Sequence, residues 1–345
     1  MAEIKPIRAW RYNNQMVNDI GTVTAPLFDV VSEKQRAALY QNQLNSIHLS
    51  VPQPPDAANR AQKLLANWKK NGVILQDKLA GIYVYYQYFK LAGDPKEYCR
   101  KGFVCHIRAY PFEENVILRH ENTIPQSVND RIELLAKTEL HVSATHGLYT
   151  DSSFELEKYM DEAISSPVYE TEDYQGVRDV FAVIHDTEVI KKFIAGIKNK
   201  TIILADGHHR YESSLVHMEN CKAANPGHTG KEGYNFHLMY LTNTEADDLR
   251  ILPTHRLIKN LKDFTIDKIV EQFNRDFIVR EVEDADTINE IIEGKKWAFG
   301  ILMKDRAFKV KLKPEVFASM RWHFPEEVKA LDLTVLHYFI IEKIL

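Results

Sequence analysis

The 345-residue sequence has only three cysteines, Cys99, Cys105 and Cys221. The number is odd and the spacing suits no metal-ligand set, so a disulfide framework is not expected and a reducing cytoplasm fits best. A basic excess is also lacking: 44 Lys and Arg stand against 48 Asp and Glu, for a net charge of -4. That balance speaks against nucleic acid as a partner. No apolar run approaches the length of a membrane span, and the opening MAEIKPIRAWRYNNQ has no apolar stretch of a signal peptide. The expectation is a soluble cytoplasmic protein without a membrane partner. The sequence holds no Walker A loop, no dinucleotide glycine pattern, no Gly-x-Ser-x-Gly elbow and no internal repeat.

What is present is a mixture of short helical and strand-like segments. Ser32 is placed to cap a helix starting near Glu33. NSIHLSVPQPP reads as a short strand, and AANRAQKLLANWKKNG as an amphipathic helix stopped by Gly72. GIYVYYQYFK and GFVCHIRAYPF predict a hairpin, as do PVYETEDY and DVFAVIHD. SVNDRIELLAKT, TEVIKKFIAGI and DSSFELEKYMDEAI predict helices, the last capped by Ser152 or Ser153. TIILA reads as a buried central strand. Beyond Arg250 the texture changes to a smaller alternation of helix and strand, ending in the apolar helix LDLTVLHYFIIEKIL. The fold class expected is α/β with a mixed sheet. The expected division is 1–250 for a core with an N-terminal extension and 251–345 for a smaller lobe.

The densest chemistry lies in TIILADGHHRYESSLVHMENC. A strand runs into Asp206-Gly207 and then into a helix with Tyr211, Leu215 and Met218 on one inward face. Gly207 permits a tight turn and close backbone approach to a ligand. The first amides of a helix attract anions, and Arg210 offers a fork that matches phosphate oxygens. His208 and His209 add donors that titrate near neutrality. Three readings stay open. Asp206 caps the helix and nothing more; the segment holds an anion such as phosphate; or Asp206, His208 and Glu212 hold a metal. Spacing counts against zinc, because adjacent histidines on a helix cannot both face one ion. Mg²⁺ held by Asp206 together with ligand phosphates suits the residues better.

Three further segments are candidates. LRHENT, from Leu118 to Thr123, ends a strand in five polar residues, among which Glu121 could serve as a general base; a solvated loop explains it equally. ILPTHRLI carries His255 and Arg256 within apolar flanks, where Arg256 could reach an anionic ligand or pair with a carboxylate. Asp29 in APLFDVV is either a site residue or a turn residue.

At ILADGHHRYESS the chain resembles a widespread bacterial family of unknown function marked by an Ala-Asp-Gly-His-His-Arg-Tyr-Glu box. APLFDVVS, NWKKNGVILQD, IYVYYQYF, RHENT, NDRIELL, YNFHLMYLTN, LRILPTHRLI and LDLTVLH follow in the family's order, over nearly the whole chain. That family looks related to the ParB/sulfiredoxin-like superfamily and, in its box, to the free serine kinases. The resemblance implies a ParB/sulfiredoxin-like nucleotide-binding core, ATP or ADP with Mg²⁺, and phosphoryl transfer to a small hydroxyl substrate such as free L-serine. Gly207, His208, His209, Arg210 and Arg256 would bind the nucleotide. Asp206 would help hold the metal, and Glu121, Asp206 and His208 would act in catalysis. A nucleotide-binding regulatory module, which would form a homodimer, and a metal-dependent hydrolase are the alternatives. Two departures stand out. Pro26-Leu27-Phe28-Asp29 replaces the usual Pro-Pro-Tyr-Asp. Members of the family also continue beyond the LDLTVLH helix, so a chain shortened at its C-terminus is expected.

Overall fold

Segments rich in β-branched and aromatic residues pair much as their composition predicts. The computed structural model describes all residues except 29, 92, 93, 122, 124, 174, 250–254, 263 and 264. They form two units, Met1–Ile251 and Leu252–Leu345. In chain order, the first unit holds β1 (Ile4–Lys5), β2 (Trp10–Tyr12), α1 (Glu33–Leu39), α2 (Ile47–Ser50), α3 (Ala57–Lys70), β3 (Ile74–Gln76), β4 (Ile82–Lys90), β5 (Glu97–Arg108), β6 (Ile117–Leu118), α4 (Pro125–Thr138), β7 (Thr145–Tyr149), α5 (Glu157–Ile164), β8 (Tyr169–Glu172), β9 (Arg178–Ile184), α6 (Thr187–Lys198), β10 (Ile202–Asp206), α7 (His208–Ala224) and β11 (Phe236–Asn243).

Nine strands join in one mixed sheet, ordered β6-β10-β7-β11-β5-β4-β9-β8, with β1 also paired to β5. The hairpins β4–β5 and β8–β9 are antiparallel, as expected. Two pairs are parallel, β6 with β10 and β7 with β11. Ile82, Val84 and Tyr86 alternate onto the same buried face as Phe103, Cys105 and Ile107, where Phe193 of α6 and Tyr211 of α7 pack on them. A second cluster forms where Ala61, Leu65 and Trp68 of α3 meet Leu134 of α4.

Four expectations need correction. NSIHLS forms the helical turn α2, with Ile47 and Leu49 buried, rather than a strand. α5 starts at Glu157 after Leu156, and neither Ser152 nor Ser153 caps it; the Ser153 hydroxyl bonds Asp151 instead. β10 lies second from the sheet edge, with Ile202 and Leu204 fully buried but Ile203 42% exposed, so it is buried on one face and is not central. Ser32 does cap α1, its Oγ accepting from Gln35 N at 3.2 Å. The apolar C-terminal stretch divides into an α-helical turn (Asp332–Val335) and a wider π-helical turn (Leu336–Glu342), rather than one helix running to Leu345.

The second unit builds its own core. α8 (Ile266–Asp276) packs Ile269 and Phe273 with β12 (Phe277–Val282), β13 (Ala298–Leu302) and β14 (Ala307–Leu312), which form an antiparallel sheet in the order β12-β14-β13. Val335, Phe339 and Ile340 complete that core. Among the described residues no helix is long and apolar enough to cross a membrane.

Candidate functional site

The turn between β10 and α7 is set by one backbone conformation. Gly207 has φ +91° and ψ 30°, a left-handed geometry that side chains disfavour. A Cβ there would also lie 2.7 Å from Thr145 Cγ2 and 2.9 Å from Arg210 Nη2. Glycine meets both demands. α7 then begins with Tyr211 N donating to Gly207 O at 2.9 Å. The fully buried Tyr211 anchors the helix: its hydroxyl accepts from Tyr110 N at 2.8 Å and donates to Tyr110 O at 2.9 Å.

Asp206 is not a helix cap. The N-cap position is Gly207, and the Asp206 carboxylate turns to Arg210, with Nη2 to Oδ2 at 2.6 Å. Arg210 Nη1 also donates to Ala144 O at 2.6 Å and Ser143 Oγ at 3.1 Å. At 8% exposure the guanidinium sits behind the turn, while the Asp206 side chain is 46% exposed. A polar layer lies behind Arg210. His237 is buried, with Thr145 Oγ1 at 3.0 Å from Nε2 and Ser214 Oγ at 2.7 Å from Nδ1. Burial pushes the His237 imidazolium far below its ordinary pKa, and burial lowers neighbouring His141 to about 4. Both rings are neutral at pH 7.

Parallel pairing supplies the other half of the site. β6 runs beside β10 with Ile117 opposite Ile202 and Leu118 opposite Ile203, so both chains leave the sheet at the same end. Carboxyl ends of parallel strands are where open α/β sheets commonly place ligands. Here His120 and Glu121 meet His208. The His120 and His208 rings pack edge to face with centroids 4.5 Å apart. His120 Nδ1 lies 2.9 Å from Leu204 O, a contact that requires Nδ1 to carry the proton. Glu121 Oε1 lies 2.9 Å from His208 Nδ1, an ion-pair distance, yet that nitrogen is buried and makes no aligned hydrogen bond. His208 is 1% exposed and Glu121 52%. Burial lowers the His208 pKa, opposed by the Glu121 charge, which leaves a largely neutral ring at pH 7.

The structure thus brings Glu121, Asp206, Gly207 and His208 to one end of two neighbouring strands. His209 sits half-buried on the first turn of α7. Glu212 accepts a hydrogen bond from the Thr123 hydroxyl. Among the described residues the group able to hold a metal is His120, Glu121 and His208, rather than Asp206, His208 and Glu212. Arg256 belongs to the second unit, where its Nε lies 3.3 Å from His337 Nε2. Asp29 and Thr254 lie outside the described residues. Phe28 stands 6.0 Å from the Arg210 guanidinium, so the N-terminal segment reaches the region of the box. Sequence reasoning missed the pairing of His120 with His208 and the role of His237. The polar run after Leu118 was a visible signal for the first; nothing local marked the second.

One family model matches residues 4–334, under the description "Protein of unknown function (DUF1015)". Neither the curated proteins nor the solved structures give a match.

Proposed function

The chain belongs to the DUF1015 family of proteins of unknown function, and from that premise we propose that it is a nucleotide-dependent phosphotransferase acting on a small hydroxyl substrate, in the simplest case free L-serine. The observation that carries the reading is the placing of two carboxylates, Glu121 beside His208 and Asp206 beside Arg210, around the left-handed Gly207 turn at the start of the 17-residue α7. A helix N-terminus favours bound anions. The resemblance of the box to those of ParB/sulfiredoxin-like proteins and free serine kinases points the same way. The nucleotide would be ATP or ADP.

In this reading Glu121 accepts the proton of the acceptor hydroxyl. A bond forms from that hydroxyl oxygen to the transferred phosphorus as the bond from phosphorus to the nucleotide oxygen breaks. Glu121 is 52% exposed, so a substrate hydroxyl can approach its carboxylate from solvent. Arg210 occupies Oδ2 of Asp206, which leaves Oδ1 to a Mg²⁺ ion that would neutralise phosphate charge. His209 and the first turn of α7 would face the phosphates. Arg210 acts here through Asp206, as a positioning residue.

The test has two stages. Calorimetric titration with ATP and ADP in the presence of Mg²⁺ reads binding, and incubation with serine reads transfer. Binding followed by phosphoserine formation is the expected result. Nucleotide binding without any transfer would replace the reading with a regulatory nucleotide-binding module, and no nucleotide binding would remove both.

A further inference from the structure

We propose that His120, Glu121 and His208 form a binding site for one divalent transition-metal ion. The inference concerns the same end of the sheet as the transferase reading but stands without nucleotide or transfer. The three side chains offer two imidazole nitrogens and a carboxylate oxygen, all within 4.8 Å of one another. Two imidazoles and one carboxylate are the donors that first-row transition metals favour, whereas Mg²⁺ takes oxygen ligands.

Three features go beyond the cluster itself. First, His120 is oriented as metal-binding histidines are: its Nδ1 hydrogen is committed to Leu204 O at 2.9 Å, which leaves Nε2 with an unshared pair. Second, His208 Nδ1 is buried and makes no aligned hydrogen bond, which is costly unless something else satisfies it. Third, that nitrogen stands 2.9 Å from Glu121 Oε1. Adjacent ligands on an octahedral ion with bonds near 2.1 Å are about 3.0 Å apart, so this pair already stands at ligand spacing, and His120 Nε2 would close on the ion from within 4.8 Å. Coordination through Nδ1 places the remaining ring proton on His208 Nε2, so the long 3.4 Å contact from His120 N would be given up. Three protein ligands on one side leave further positions open to water or substrate.

Metal-stripped, untagged protein titrated with Co²⁺ tests the site without nucleotide. The expected result is one equivalent bound per chain, with visible d–d absorption bands that Zn²⁺ displaces and equimolar Mg²⁺ does not. His120→Gln and Glu121→Gln, both at exposed positions, should each weaken binding by more than about tenfold with circular dichroism unchanged. Glu212→Gln should bind as the parent does, because Glu212 lies outside the set. Absence of stoichiometric binding, or equal binding by His120→Gln, would overturn the site. A failed serine assay would leave it standing, and a failed Co²⁺ titration would leave the transferase reading standing.

Discussion

At Gly207 an added methyl group would meet Thr145 Cγ2 at 2.7 Å on a backbone already at φ +91°. A left-handed non-glycine residue costs about 1–3 kcal/mol before any clash. Gly207→Ala should therefore lower stability by at least that much in urea denaturation and weaken nucleotide binding together with it. Parent-like stability would show that the turn relaxes freely. Glu121 makes the sharper case, since it is half exposed and its loss leaves no core cavity. Glu121→Gln should slow transfer by about 10²–10⁴-fold while nucleotide affinity stays within about twofold. Single-turnover rates beside calorimetric affinities separate these effects. A parallel loss of both would make Glu121 a binding residue instead.

At the scale of elements, the site depends on how α7 is seated. Tyr211 ties the helix to Tyr110 through two hydrogen bonds of 2.8 and 2.9 Å. Tyr211→Phe leaves a backbone N–H and C=O at Tyr110 without that partner and should cost about 1–3 kcal/mol, read from the shift in urea midpoint. This scale also shows how far the sequence could be read. The hairpin β4–β5 was legible because both segments are rich in β-branched and aromatic residues, which fit the pleated, buried surface they form. The strand-turn-helix around Asp206 was legible because glycine follows an apolar run. NSIHLS was misread because its alternation suits a strand, yet Ile47 and Leu49 are both buried in a single helical turn. The pairing of β6 with β10 was not legible at all. It joins segments more than 80 residues apart, and only that register carries His120 and Glu121 to His208. For the same reason the alternative metal set read from the sequence named Glu212, whereas the structure groups His120 with Glu121 and His208.

At the scale of the whole molecule, buried histidines couple stability to pH. Burial holds His106, His141 and His146 at about 4 and pushes His237 well below its ordinary value, against about 6.5 in an unfolded chain. Below pH 6.5 the unfolded chain thus binds more protons than the folded one. Stability is full above that pH and falls as pH drops from 6.5 toward 4. Urea midpoints between pH 7.5 and 4.5 should decline through this window, and a flat profile would contradict the neutral buried rings. The account's central claim, phosphoryl transfer at the Glu121–Asp206 end of the sheet, is tested most directly by one phosphorus NMR experiment. Protein, Mg²⁺, ATP or ADP, and L-serine are incubated together, beside a Glu121→Gln control. The account predicts a growing phosphoserine resonance that the control lacks; bound nucleotide with no phosphoserine from the parent protein would contradict it.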